Sequence, residues 1–302
     1  MDDLIALYND KKIISSFKNY HLKEYPPIYV VNTLPIHFDP KFKKIGITMS
    51  GGADSTMLFY ILCNLIENTG SKCKIYPITM IRNYKDKPWD EIVQDNVYNW
   101  FYKKFPNIVQ NHIKGFIPSD LELVPISNLG LEKLNKQYGD LASITNVDVV
   151  CITNFTDYLL EKYNLDYMYS GTTTNPTDID NAGAPIFRNQ ENMQFDVNKV
   201  ISKTNIDPFA LITKDWIIAQ YYNFNILDLL DLTRSCDKNI KVSDTTIIPQ
   251  PCNECFFCKE RNWAIDNKDK YLMEIQDEPS VLLRNWRYKF QEWICNFLPA
   301  TK

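Results

Sequence analysis

From Lys43 onward the chain alternates between two hydrophobic rhythms. Residues 44–49, Lys44-Ile45-Gly46-Ile47-Thr48-Met49, form a short apolar run that predicts a buried strand, and 55–67 repeats apolar residues at helical spacing. The same alternation continues with a strand over 74–80, a helix over 89–105, a strand over 121–126, a helical region over 131–163 and a strand over 166–171. Strands separated by helices predict an α/β fold, a mostly parallel doubly wound sheet covered on both faces. Ahead of it, the prolines and β-branched residues near 25–40 predict an extended arm or hairpin. Beyond Gly171 the periodicity stops for about 23 polar residues, a length that points to a functional loop. Helical patterns resume over 214–222 and 226–232, and Leu282, Leu283, Trp286, Phe290 and Trp293 place a packed helix near the C-terminus. These breaks divide the chain into an N-terminal extension (1–42), an α/β domain (43–212) and a C-terminal helical region (213–302).

Composition narrows the class. The 302 residues are 45% hydrophobic and 23% charged, as expected of a globular protein. Thirty-three basic against thirty-seven acidic residues give a net charge of -4, which argues against coating nucleic acid through bulk charge. No segment approaches the roughly 18 apolar residues of a membrane helix, and the acidic start is unlike a secretory signal. A soluble, cytoplasmic protein with no membrane partner is expected. Of the eight cysteines, Cys63, Cys73, Cys151 and Cys295 lie scattered among apolar neighbours, as buried thiols do. Cys236, Cys252, Cys255 and Cys258 cluster, and in a reducing compartment a cluster reads as a metal site rather than as disulfides.

The strand at 44–49 turns through Ser50-Gly51-Gly52-Ala53-Asp54-Ser55 into a helix start. Amides at a helix N-terminus favour phosphate, and paired glycines let several of them converge on one anion. Ser50, Ser55 and Thr56 can add hydroxyls. Asp54 would repel phosphate, a conflict eased if it holds a cation or caps the helix. No Gly-x-x-x-x-Gly-Lys-[Ser/Thr] occurs, so the loop is not a Walker A motif. Ser-Gly-Gly-Ala-Asp-Ser after a strand instead resembles the PP-loop of the ATP pyrophosphatase family. The resemblance implies cleavage of ATP between its α and β phosphates, with AMP transferred to a substrate oxygen. Ser50, Gly51, Gly52, Asp54 and Ser55 would then hold the β,γ-phosphates, with Mg2+ offsetting their charge.

The clustered cysteines follow the spacing Cys-x15-Cys-x2-Cys-x2-Cys. Four thiolates at such spacing suit a closed tetrahedral Zn2+ site, and an iron–sulfur cluster is the competing occupant. Within the PP-loop family, Ser235-Cys236 followed by Pro251-Cys252, Cys255, Cys258 and Arg261 is similar to the 7-cyano-7-deazaguanine synthases. The stretch around Thr213-Lys214 resembles theirs too. The likeness covers about 43–265, with an insertion over 237–251. It implies an ATP-dependent C–N ligase that adenylates a carboxylate, that of 7-carboxy-7-deazaguanine. Ammonia then displaces AMP to give an amide, and a second ATP dehydrates it to the nitrile. Lys214 would neutralise the α-phosphate or the carboxylate, Asp178 and Asp180 would grip an amino-bearing base edge, and the polar segment 171–190 would act as a lid. Arg188, His21, His37 and His112 show no spacing that implicates them. The expected partners are the carboxylate and ammonia, with a homodimer compatible with both. Two further readings fit the same residues: a PP-loop tRNA-modifying enzyme of the thiolation or lysidine type, and a nucleotide-binding regulatory or defence-complex subunit without turnover.

Overall fold

The structure is a computed structural model that describes residues 28–31, 34–81, 89–116, 156, 158–180, 183–185, 188, 205–237, 248 and 250–272. An antiparallel hairpin opens it, β1 (Ile28–Val31) against β2 (Leu34–His37), with Ile28 opposite His37. The central sheet contains β3 (Lys44–Thr48), β4 (Lys74–Ile81), β5 (Ile113–Phe116), β6 (Tyr167–Tyr169) and β7 (Asn205–Ile206). They lie in the order β5-β4-β3-β6-β7, every neighbouring pair parallel. The helices are α1 (Ala53–Thr69), α2 (Trp89–Lys104), α3 (Lys214–Asn223), α4 (Leu227–Leu232) and α5 (Phe256–Asn267), followed by a 3-10 turn at Lys268–Tyr271. The doubly wound α/β class expected from the hydrophobic pattern is the one observed.

Alternation along each strand sorts side chains to two faces. Ile45, Ile47, Ile75 and Tyr169 join one core with residues of α1, α2, α3 and α4, while Ile78 and Met168 join a second with Leu159 and Leu165. Residues 158–163 are helical, so this second face has its own cover. Chain order matters more than layer count. From β3 the sheet grows one way through β4 and β5 and the other way through β6 and β7. The connections onward from β3 and from β6 therefore lead to opposite sides of the sheet, and open α/β sheets place ligands beyond the carboxyl ends of such strands.

α1 carries the loop of interest, and it is buried nearly all round from Ala53 to Ile66. It stops where Gly70 turns left-handed (φ 64) and its N–H bonds back to Glu67 and Ile66. Phe59 of α1 stacks on Phe101 of α2 with ring centroids 4.0 Å apart, both fully buried. The N-terminal hairpin also reaches this core: Leu34, Ile36 and Phe38 are buried in it, and Tyr169 donates its hydroxyl to the His37 carbonyl at 2.7 Å. α3 and α4 pack there too, so residues on both sides of the boundaries expected at 42/43 and 212/213 share one core.

Three elements carry no periodic signal in the sequence. β5 and β7 are four and two residues long, and exist because β4 and β6 offer them an edge to pair with. α5 buries Phe256, Glu260 and Ala264 on one face, a spacing disguised by the charge at its centre. The strand expected at 121–126, most of the helix expected over 131–163, the helix near 282–293 and residues 1–27 lie outside the described residues. Among the described residues no helix is long and apolar enough to cross a membrane.

Truncating the stacked ring removes its contacts and leaves a void that the helices fill only in part. Phe101→Ala is expected to cost about 3–5 kcal/mol, measured as a lower urea midpoint.

Candidate active site

The loop after β3 sits in the crevice that the strand order predicts. Gly51 has φ 78, a left-handed conformation that a side chain would strain, and it swings the chain into the α1 start at Gly52. Ser50 and Ser55 lock the turn. Their hydroxyls lie 3.1 Å apart, the Ser50 N–H donates to Ser55 Oγ at 3.2 Å, and the Gly52 N–H donates to Ser50 Oγ at 3.3 Å. The amides of the first α1 turn have no acceptor within the helix and face outward with its positive dipole end. Tyr221 of α3 props the turn from below by donating to the Ala53 carbonyl at 2.8 Å. Thr56, expected to offer a hydroxyl beside Ser50 and Ser55, is fully buried and faces Tyr221, because the helix rotates it inward.

Asp54 is the centre of a closed circuit of buried charge. Its Oδ2 lies 3.1 Å from the Lys214 ammonium, which lies 2.8 Å from Oε2 of Glu260. Glu260 pairs in turn with Arg188, whose guanidinium donates to the Thr173 hydroxyl at 2.7 Å and to the Thr173 carbonyl at 2.6 Å. Thr173 closes the ring by donating to Asp54 Oδ2 at 3.4 Å. Lys214, Glu260 and Arg188 are all buried, Glu260 completely. Burial alone would push the Glu260 carboxyl up, but Lys214 and Arg188 outweigh it and hold it below the usual range. Asp54 thus faces an ammonium rather than capping α1, and the Lys214 charge offsets its own at the start of the helix. Its Oδ1 is buried and has no hydrogen-bond partner among the described residues.

Gly171 and the residues after it form the opposite wall. A Cβ on Gly171 would lie 3.0 Å from the backbone N and Cα of Ser55, so only glycine lets β6 exit this close to the loop. Residues 173–176 are buried, and Thr174 and Asn175 are fastened to the backbone of Ile212 and Arg188. This part of the segment expected to be a lid is instead a packed wall. Asp207 supports it by accepting the Thr172 N–H at 3.1 Å. Burial pushes the Asp207 carboxyl up to about 7 against the bonds from Ser170 and Thr172 and the charge of Arg188. Asp178 and Asp180 lie further along, exposed; Asp178 accepts the Trp263 indole N–H at 3.0 Å and Asp180 is 3.5 Å from Lys259. Both contacts run to α5, on side chains outside the Asp54 circuit.

The sulfurs of Cys236, Cys252, Cys255 and Cys258 lie within 4.8 Å of one another, Cys252 and Cys258 at 3.9 Å. A tetrahedral ion with metal–sulfur bonds of about 2.3 Å separates its ligands by about 3.8 Å, so the set fits one ion. Trp89 and Val93 of α2 cover it. Burial raises the Cys252 thiol, but the N–H groups of Cys255 and Glu254 and neighbouring thiols outweigh it and bring it down to about 6. Arg234, Ser235 and Arg261 join Cys236, Cys258, Pro251 and Asn262 around a cavity of about 110 Å³. That cavity borders the Ser50–Ser55 turn: the Arg234 N–H donates to the Gly51 carbonyl at 3.0 Å, and Ser235 Oγ would be 3.9 Å from a Cβ on Gly52.

Arg188, which spacing left without a role, therefore belongs to the site, as do Glu260, Thr173 and Gly171. Glu260 had a legible sign: a carboxylate four residues from both Phe256 and Ala264 on a helical face that proves to be buried. Arg188 had none, since it arrives from a polar segment through backbone turns at Pro185 and Asn175.

No family model matches the chain, and no curated protein does. Among solved structures, the chain is similar to the U34-tRNA thiolase NcsA from Methanococcus maripaludis, solved with its 4Fe-4S cluster. The TM-score is 0.36 at 15% identity, over 82% of this chain and 72% of that one.

Asp207 sets a pH dependence with a definite sign. Its folded value near 7 exceeds the ordinary 3.8, so the stability it contributes is fully present below pH 3.8 and is lost as pH rises toward 7. Relative to Asp207→Asn, the wild type is expected to lose about 1.4 kcal/mol per pH unit across that window. Urea unfolding of both proteins over a pH series measures it.

Proposed function

We propose that the chain is an ATP-dependent, AMP-forming enzyme of the PP-loop type that activates a small carboxylate. The observation that carries this reading is the convergence of two distant segments at the β3–β6 crevice. The Ser50–Ser55 turn presents amides and hydroxyls, and Lys214, from the start of α3, supplies the cation beside Asp54. A loop of this build suits the β,γ-phosphates, leaving the α-phosphorus open on the side away from them.

In this reading a carboxylate oxygen attacks the α-phosphorus, the bond to the bridging oxygen of the β-phosphate breaks, and pyrophosphate leaves. Ammonia then adds at the acyl carbon, AMP departs and an amide remains. A second ATP activates the amide oxygen, which leaves with AMP as the nitrile forms. Ser50, Gly51, Gly52 and Ser55 orient the leaving pyrophosphate, and Lys214 offsets the charge gathered near Asp54. Asp54 Oδ1, which has no hydrogen-bond partner among the described residues, is the atom that would hold Mg2+, whose chemistry is to neutralise phosphate oxygens. The packed wall at 173–176 keeps water from the acyl adenylate.

The carboxylate is 7-carboxy-7-deazaguanine, a choice resting on the motif resemblance and supported by the gathering of Ser235, Cys236, Cys258 and Arg261 around one cavity beside the loop. Asp178 and Asp180, both exposed and beside Trp263 and Lys259 of α5, are the carboxylates that would grip the amino-bearing edge of the base. Sulfurs within 4.8 Å favour a single structural zinc over a four-iron cube, which gives each cysteine its own iron and spreads them further.

Incubation with ATP, Mg2+, ammonia and 7-carboxy-7-deazaguanine is expected to release AMP and pyrophosphate in equal amounts. Asp54→Asn should lower turnover by about a hundredfold or more. Formation of ADP would overturn the proposal. AMP formed with another carboxylate and with no deazapurine would keep the chemistry and remove the substrate.

A further inference from the structure

The cysteine cluster and the phosphate loop are joined by connections that no ligand makes. Cys258 and Glu260 are two residues apart on α5, and Glu260 holds the Lys214 ammonium that faces Asp54. On the other side, the Arg234 N–H grips the Gly51 carbonyl only two residues before Cys236. Val93 lies between them, packed with Cys236 and Cys258 while its Cγ1 would be 3.0 Å from a Cβ on Gly51. A shift of the cysteines therefore has short, stiff routes to the turn at Ser50–Ser55.

We propose that Glu260 is a positioning residue that makes nucleotide affinity depend on what occupies Cys236, Cys252, Cys255 and Cys258. The inference rests on the reading of Ser50–Ser55 as an ATP site. Cys255 is the N-cap of α5, and the first bonds there are the Cys258 and Lys259 amides to the Cys255 carbonyl. An ion shared by Cys252, Cys255 and Cys258 fixes that first turn, and with it the direction in which Glu260 leaves the helix. Without the ion the turn frays as helix ends do, and Glu260 withdraws the nearer of the two carboxylates around Lys214, 2.8 Å against 3.1 Å. The ammonium then belongs to Asp54 alone and competes with any cation that Asp54 would hold for the phosphates. Such a coupling is reciprocal: the factor by which zinc tightens ATP is the factor by which ATP tightens zinc.

The test measures zinc affinity of the full chain by competition with a chromogenic chelator, with and without saturating ATP and Mg2+, alongside ATP affinity of the zinc-loaded protein. In the wild type ATP is expected to tighten zinc by about 5- to 150-fold. In Glu260→Gln that ratio should fall toward unity while both ligands still bind. A merely structural Glu260 would weaken zinc with and without ATP alike and leave the ratio unchanged, which overturns the proposal. Should the Gln variant not fold, Glu260→Asp keeps the charge but shortens its reach; a reduced ratio supports the coupling and an unchanged one overturns it. ATP binding to the wild type with no effect on zinc removes the coupling alone. Failure of the zinc-loaded wild type to bind ATP removes the ATP reading, and the coupling with it.

Discussion

Four charged side chains, Asp54 among them, meet largely out of solvent, and the rest of the site depends on how they cancel. Taking one carboxylate or ammonium out of water costs several kcal/mol, and an isolated pair rarely recovers it. Here Asp54, Lys214, Glu260 and Arg188 alternate in sign around a ring that Thr173 closes, so each charge has an opposite neighbour. An apolar cluster of similar volume would hold the segments together as well or better. What it would not do is keep an ammonium 3.1 Å from the carboxylate that opens α1. The ring fixes the placement of these charges, with stability supplied elsewhere.

That support comes from the sheet. β3 and β6 are adjacent and parallel, and the chain goes on from them to opposite sides of the sheet, so both exits meet at the switch in strand order. α1 is buried almost all round, so its first turn is held as rigidly as any core element. Gly171 brings the β6 exit into contact with the backbone of Ser55, and Tyr221 braces the Ala53 carbonyl. A turn clamped at these points presents its amides in one geometry before any ligand arrives, and preorganised dipoles are worth more than ones that must reorient.

The cysteine cluster takes part in the same architecture. It is covered by Trp89 and Val93 of α2, and its flanking residues reach the loop through Arg234 and Glu260. α5 carries Cys258 of the cluster and, about half a turn along, Glu260 of the charged ring.

Local patterns determined a good deal by themselves. Strand–helix alternation specified the class of fold, because a two-residue and a 3.6-residue period bury different faces whatever surrounds them. The Ser50–Ser55 turn was legible for the same reason: glycine's conformational freedom and the exposed amides of a helix start are properties of neighbours in sequence. The spacing of Cys252, Cys255 and Cys258 likewise brings thiols together within one turn. Only the tertiary structure decided who answers Asp54. Lys214, Arg188 and Glu260 lie 160, 134 and 206 residues away along the chain, and nothing local marks their meeting. It also turned Thr56 into the core, placed Asp178 and Asp180 along α5, and paired β5 and β7 onto edges too short to announce themselves. Charge compensation acts through space and in a low dielectric, so it is settled by which segments the folded chain brings together.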